Sequence, residues 1–169
     1  MRISLLGYMG CGKSSVGRIL AERLHCDHSD LDAYIEGEVG CTLSEFIASS
    51  GDGCFRKVER EALQVLLEKP NMVLSLGGGT PAYYDNMARI NQKSRSVYLR
   101  TPVKDLTQRL LDTRSKRPLI AEIPGEALAE FIAKHLFERA VYYERADLII
   151  ENNAQKTLGY IAAEICQNL

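Results

Sequence analysis

Eight residues, Gly7-Tyr8-Met9-Gly10-Cys11-Gly12-Lys13-Ser14, constrain this chain more than any other stretch. They fit Gly, four residues, then Gly-Lys-Ser, the P-loop or Walker A pattern. An apolar run from Ile3 to Leu6 leads into them, and a helical pattern with Val16, Ile19, Leu20 and Leu24 leads out. That order has a physical reason. A strand ends, glycines let the backbone curl, and the N–H groups of Gly10, Cys11, Gly12, Lys13, Ser14 and Ser15 turn towards an anion. The helix that follows adds the positive end of its dipole. Lys13 supplies a mobile charge for the outer phosphates of a nucleotide such as ATP, and Ser14 a hydroxyl for Mg²⁺.

The rest of the chain alternates between strand and helix signals. Strands are predicted at residues 2–6, 27–30, 72–76, 96–99 and 147–151. Helices are predicted over 13–24, after the capping box Thr42-Leu43-Ser44-Glu45, and over 56–68 with Val58, Ala62, Val65 and Leu66 facing inwards. Thr101-Pro102 reads as an N-cap and first helical residue, and residues 155–167 as a last helix with Leu158, Ile161, Ala162 and Ile165 inside. This predicts a three-layer α/β/α P-loop kinase fold around a five-stranded parallel sheet. At 169 residues the chain is expected to be one domain, residues 1–169, with a substantial core. Two stretches interrupt the alternation: a helical one at about 33–67, expected to hold a second substrate, and a polar, proline-marked one at about 112–125. The second is expected to be a mobile lid with few residues able to anchor it. Insertions at the C-terminal edge of such a sheet flank the ligand crevice.

Composition narrows the partners. The formal net charge is −1, which argues against a broad cationic surface for nucleic acid or anionic lipid. No apolar stretch reaches membrane-spanning length, and Met1-Arg2 runs into the first strand without room for a signal peptide, so a cytoplasmic location is expected. The five cysteines are odd in number and contain no Cys-x-x-Cys pair, so neither a disulfide framework nor a structural zinc site is expected. His25-Cys26-Asp27-His28-Ser29-Asp30 has metal-binding content, but a strand would divide these side chains between two faces.

Further residues carry chemistry. Asp30 and Asp32 stand two apart at the expected end of the second strand, where both carboxylates would share one face. One can hold Mg²⁺ through water while the other meets an acceptor hydroxyl; the competing reading is a solvated acidic turn. Arg56 and Glu59 lie at i and i+3, so Glu59 can orient a guanidinium suited to gripping a carboxylate, or the two form a plain surface ion pair. Gly77-Gly78-Gly79-Thr80 follows the third strand and either lets the backbone touch a ligand or simply turns. Arg117-Pro118-Leu119 lies in the expected lid, and Arg139 precedes Tyr143 by one helical turn.

In this order the motifs resemble those of the shikimate kinase family: the P-loop, Asp-x-Asp, Phe-Arg-x-x-Glu, Gly-Gly-Gly, Arg-Pro-Leu and Arg-x-x-x-Tyr, from Gly7 to Tyr143. The resemblance implies that Asp30, with Ser14, organises Mg²⁺ and that Asp32 binds the hydroxyl to be phosphorylated. It implies that Arg56 and Arg139 hold the shikimate carboxylate, that Gly78 and Gly79 contact the ring, and that Arg117 reaches the nucleotide phosphates. Lys13, Asp32 and Arg117 are the expected catalytic residues. The implied reaction moves the γ-phosphoryl of ATP to the 3-hydroxyl of shikimate, on the way to chorismate and the aromatic amino acids. A monomer is expected, with ATP and shikimate as its partners and no role in binding nucleic acid or membrane. The arginine that in the family often meets adenine, seven residues before the lid arginine, is Leu110 here; Arg109 is the nearest arginine and is expected in the ATP site. Ser15 replaces a usual Thr, Asp52 a usual Glu and Val141 a common Pro. A gluconate or nucleoside monophosphate kinase of this fold would not need Arg56 and Arg139 converging on a small carboxylate. A non-catalytic nucleotide-binding module would be expected to have lost Lys13 or Asp32.

Overall fold

The computed structural model describes residues 1–113 and 118–169. Its strands are β1 (Arg2–Leu6), β2 (Asp27–Asp30), β3 (Met72–Ser75), β4 (Arg95–Arg100) and β5 (Leu148–Glu151). They form one parallel sheet in the order β2-β3-β1-β4-β5, with Ser4 opposite Leu74 on one side and Leu5 opposite Val97 on the other. Both faces of the sheet are covered, so alternate strand residues feed two cores. Ile3, Leu5, Val73, Val97 and Leu99 enter one, and Leu6, Leu74 and Tyr98 the other.

The first core is closed by α1 (Lys13–Leu24), α6 (Val103–Leu111), α7 (Pro118–Ala121), α8 (Gly125–Tyr143) and α9 (Leu158–Gln167). The second is closed by α2 (Leu31–Val39), α4 (Asp52–Glu68) and α5 (Asn86–Lys93). The capping box forms as expected: Thr42 Oγ1 accepts from Glu45 N–H and Glu45 Oε2 from Thr42 N–H, opening α3 (Leu43–Ser50). Among the described residues no helix is long and apolar enough to cross a membrane.

Three local expectations shift. The helix expected from residue 56 begins at Asp52, and its buried stripe is Phe55, Glu59, Ala62 and Leu66; Val65 stands a quarter-turn off this stripe and is 50% exposed. Pro102, not Thr101, takes the N-cap place of α6, with an extended ψ of 144°. The last helix starts at Leu158 because the Thr157 side chain caps it by accepting from Tyr160 N–H.

The chain leaves β1 into the P-loop, β2 at Asp30 and β3 into Gly77–Gly79. Because β2, β3 and β1 are neighbours, these three exits lie side by side at the C-terminal edge of the sheet.

Candidate active site

At the P-loop, Gly12 occupies the N-cap of α1 with φ 91°, a left-handed conformation that favours glycine, and no side chain caps the helix. Its first N–H groups are thereby left for an outside acceptor. Lys13 is buried, its Nζ donating to Gly7 O at 2.9 Å and Tyr8 O at 3.1 Å. The Cys11 side chain belongs to the core and its N–H donates to Tyr8 O; its carbonyl accepts from Arg109 Nη1 at 3.4 Å and from Asn152 Nδ2. Leu110 is fully buried against Gly10, where a Cβ would stand 2.9 Å from Leu110 Cδ2. Arg109 lines the cavity over the P-loop while Leu110 braces the loop from below.

Asp30 and Asp32 do not share a strand face. Asp30 ends β2 and caps α2, its Oδ1 accepting from Asp32 N–H at 3.1 Å and Ala33 N–H at 3.4 Å, so Asp32 falls in the first helical turn. An aspartate satisfying two otherwise orphaned donors turns the chain helical one residue earlier than strand alternation requires. The other Asp30 oxygen, Oδ2, accepts from Ser14 Oγ at 2.5 Å. Burial, and then the nearby charge of Asp30, push the Asp32 carboxyl up from 3.8 to about 6; Lys13 opposes the shift, and Glu59 and Glu36 add to it.

Arg56 Nη1 donates to Glu59 Oε2 at 2.9 Å, and Glu59 is only 1% exposed. The surface ion-pair reading of these two residues is therefore set aside. The Arg56 guanidinium lies over the Tyr83 ring at 3.9 Å from its centroid. Thr80 Oγ1 donates to the other Glu59 oxygen at 2.6 Å. Arg139 reaches the same place from α8: a Cβ at Gly79 would stand 3.1 Å from Arg56 Nη1 and 3.5 Å from Arg139 Nη2, and one at Gly78 3.4 Å from Arg139 Nη1. Tyr143, one turn beyond Arg139, donates to the carbonyl of Gly78.

Two cavities adjoin. One is lined by P-loop residues Gly10, Gly12, Lys13, Ser14 and Ser15 with Asp30, Arg109 and Thr113. The second is lined by Glu36, Leu43, Ile47, Phe55, Arg56, Glu59, Gly77, Gly79, Leu119 and Arg139. Met9, Asp32 and Gly78 belong to both. Arg117 lies outside the described residues. Met9, Gly77 and Thr80 lie in the sequence motifs without an expected role of their own, and Tyr83 lies in none. The Gly-Gly-Gly-Thr run held a signal for two of them, since its first glycine and its threonine serve neighbouring side chains.

The segment expected to be a weakly anchored lid carries an anchor. Ile120 in α7 is fully buried in the first core, whereas Leu119 beside it is 51% exposed at the second cavity.

The Ser14 hydroxyl and Asp30 carboxylate offer two hard oxygen donors in contact, which fits Mg²⁺, an ion that usually keeps waters and phosphate oxygens as its other ligands. Among the described residues no group of three or more His, Cys, Asp or Glu side chains forms a metal cage.

A P-loop cavity and a guanidinium-lined cavity that meet at a half-buried carboxylate, on a parallel sheet covered on both faces, define a P-loop kinase of the small-molecule class. The model of the shikimate kinase family matches residues 9–169, and the chain belongs to that family. The shikimate kinase of Flavobacterium johnsoniae is 42% identical over 147 residues, 86% of each chain. A crystal structure of shikimate kinase from Bacteroides thetaiotaomicron superposes with a TM-score of 0.92 at 33% identity, covering 99% of this chain and 96% of that one. That of Acinetobacter baumannii shikimate kinase in complex with shikimate gives a TM-score of 0.88 at 34% identity, covering 99% and 91%.

Proposed function

We infer that the chain transfers the γ-phosphoryl group of ATP to the 3-hydroxyl of shikimate, giving shikimate 3-phosphate and ADP on the route to chorismate and aromatic amino acids. One observation carries the reading: Asp32 stands in the wall common to the phosphate-side cavity and the cavity where Arg56 and Arg139 converge. Family membership supplies the identity of the acceptor.

The nucleotide phosphates lie on the P-loop from Gly10 to Ser15, where the uncapped N terminus of α1 and its dipole favour negative charge. Lys13 exchanges the carbonyls of Gly7 and Tyr8 for phosphate oxygens, and Arg109 adds charge on the nucleotide side. Ser14 and Asp30 would hold Mg²⁺, which when bound neutralises phosphate charge. Arg117, by the family resemblance, completes this set.

In the second cavity Arg56 and Arg139 grip the acceptor's carboxylate, and the bare backbone of Gly78 and Gly79 lets its ring approach. Asp32 orients the hydroxyl. As the oxygen bonds to the γ-phosphorus and the bond to the β-phosphate oxygen breaks, the hydroxyl proton passes to Asp32. The transition state is loose, so positioning and charge neutralisation carry most of the catalysis. The proposed enzyme is a monomer of one domain, and its proposed location is the cytoplasm.

A coupled ADP-release assay over shikimate, gluconate, other hydroxy acids and nucleoside monophosphates tests the reading. Turnover with shikimate that requires both ATP and a divalent metal is the expected result; preference for an acceptor without a carboxylate overturns it.

A further inference from the structure

The short turn after the glycine run, Thr80–Ala82, leads directly to Tyr83, and residues at both its ends bear on Arg56. Thr80 is fully buried, and its hydroxyl donates to Glu59 Oε1 at 2.6 Å while Arg56 donates to Glu59 Oε2 at 2.9 Å. The turn itself is fixed: Asn86 Nδ2, also fully buried, donates to Thr80 O at 2.9 Å, and Ala82 N–H to Gly79 O at 2.9 Å. At the far end the Tyr83 ring lies beneath the Arg56 guanidinium.

A buried carboxylate with one hydrogen-bonded oxygen would be free to rotate towards other partners. With a donor on each oxygen it has one orientation. Thr80 therefore sets the direction from which Glu59 accepts the Arg56 hydrogen bond. The Tyr83 face holds the guanidinium plane from a second direction, by cation–π attraction. Glu59 accepts the hydrogen bond of Arg56 Nη1, Asp52 Oδ1 pairs more loosely with Nε at 3.4 Å, the Phe55 ring lies at 4.7 Å, and Arg56 Nη2 stands 3.3 Å from where a Cβ at Gly79 would be, beside Arg139. The arginine is thus held on its protein side and left open on its cavity side.

We propose that Thr80 and Tyr83 are positioning residues for recognition of the acceptor's carboxylate: through Glu59 and directly, they set the Arg56 guanidinium in its carboxylate-binding geometry before the acceptor arrives. This rests on the assignment of shikimate as acceptor. Preorganisation of this kind lowers the ordering cost of binding, so its loss falls on acceptor affinity and not on the chemical step.

Steady-state kinetics with each substrate varied separately, together with thermal unfolding of every variant, test it. Thr80→Val keeps the shape and removes the donor; KM for shikimate should rise roughly tenfold, from the value of a hydrogen bond to a charged group. KM for ATP and kcat should stay within about twofold, as for a loss of ground-state acceptor binding alone. Thr80→Ser should restore the shikimate KM. Tyr83→Leu should raise it roughly threefold to tenfold, the range for a partly buried cation–π contact, whereas Tyr83→Phe, which keeps the ring, should not. The preference for shikimate over its methyl ester should shrink in Thr80→Val and Tyr83→Leu, because the lost interaction serves the carboxylate.

An unchanged shikimate KM in folded Thr80→Val or Tyr83→Leu overturns the proposal, as does a parallel rise in both KM values or a failure of serine to rescue. Should Thr80→Val not fold, the Tyr83→Leu and Tyr83→Phe pair decides by the same criteria. Absence of shikimate turnover in the unmodified protein would instead remove the acceptor assignment, which keeps the two failures distinct.

Discussion

Asp32 Oδ1 lies 2.8 Å from the point that a Cβ on Gly77 would occupy. The same point is 2.9 Å from Thr80 Oγ1 and 3.2 Å from Glu59 Oε1, so one missing methyl group lets the Asp32 and Glu59 carboxylates pack around a single backbone position. Gly77→Ala should push these three side chains apart. We expect a loss of about 1–3 kcal/mol in stability, typical of overpacking, together with a large fall in kcat/KM for shikimate. Gly37, in α2, offers a control, since nothing lies within 4 Å of its Cβ position. Gly37→Ala should be neutral or stabilising by up to about 1 kcal/mol, from helix propensity. Chemical denaturation and steady-state assays of the two variants check this; equal behaviour would refute the crowding argument.

The raised Asp32 carboxyl predicts opposite effects on activity and stability. With its folded value pushed up from 3.8 to about 6, the folded protein keeps a proton between about pH 4 and 6 that the unfolded chain has released. Stability of the free enzyme therefore falls as pH rises through that window, and the penalty is fully present above it. Asp32→Asn removes the charge and should stabilise the free enzyme by about 1–3 kcal/mol at pH 7.5, while abolishing most turnover. The advantage should disappear below pH 4. For the unmodified enzyme, kcat/KM should drop on the acid side as Asp32 takes up a proton. Thermal unfolding across pH, with a pH–rate profile, measures both; an Asp32→Asn protein less stable at pH 7.5 would contradict the assigned environment.

Arg56 and Arg139 should separate the two substrates. Removing one partner of a desolvated carboxylate costs roughly 2–5 kcal/mol, a factor of about 30 to several thousand in affinity. Arg56→Ala or Arg139→Ala should therefore weaken shikimate strongly and ATP little. Glu59→Gln should give a smaller version of the Arg56 defect, because an amide still accepts from Arg56 but without charge. Isothermal titration of nucleotide and shikimate separately tests this, and equal losses for both ligands would count against the assigned division of the site.

Much of this was legible in the sequence because the P-loop pattern, the capping box and strand–helix alternation are local signals. The P-loop fixes where β1 ends and α1 begins, and α1 runs over Lys13–Leu24 as its apolar spacing predicts. What escaped was tertiary. Whether Val65 or Phe55 is buried depends on the phase of α4 against β3 and α2, which two valines in the sequence cannot set. Alternation puts Asp32 on the same strand face as Asp30, yet Asp30 ends the strand and accepts from the N–H groups of Asp32 and Ala33, which turns the chain helical. The role of Thr80 depends on a carboxylate 21 residues away in sequence, on a different element. Motif spacing gives the residues that meet ligands; packing supplies the ones that hold them in place.

Leu119 and Ile120 are neighbours with opposite surroundings, and they predict a division of effects within α7. Ile120 has no exposed surface and joins the core with Leu106, Leu110 and Leu128, whereas Leu119 is half exposed at the cavity that Arg56 and Arg139 line. A closing element needs both a fixed point and a mobile contact, since sequestering the reaction from water must not unravel the fold. Ile120→Ala should cost about 2–5 kcal/mol of stability, as for other buried isoleucines. Leu119→Ala should leave unfolding nearly unchanged and raise KM for shikimate severalfold, because a ligand in that cavity would cover its exposed apolar surface. Amide exchange in residues 119–123 should slow when nucleotide and shikimate are present together and much less with either alone. Protection in this segment that is already complete without ligands would make α7 a fixed wall of the cavity and not a lid.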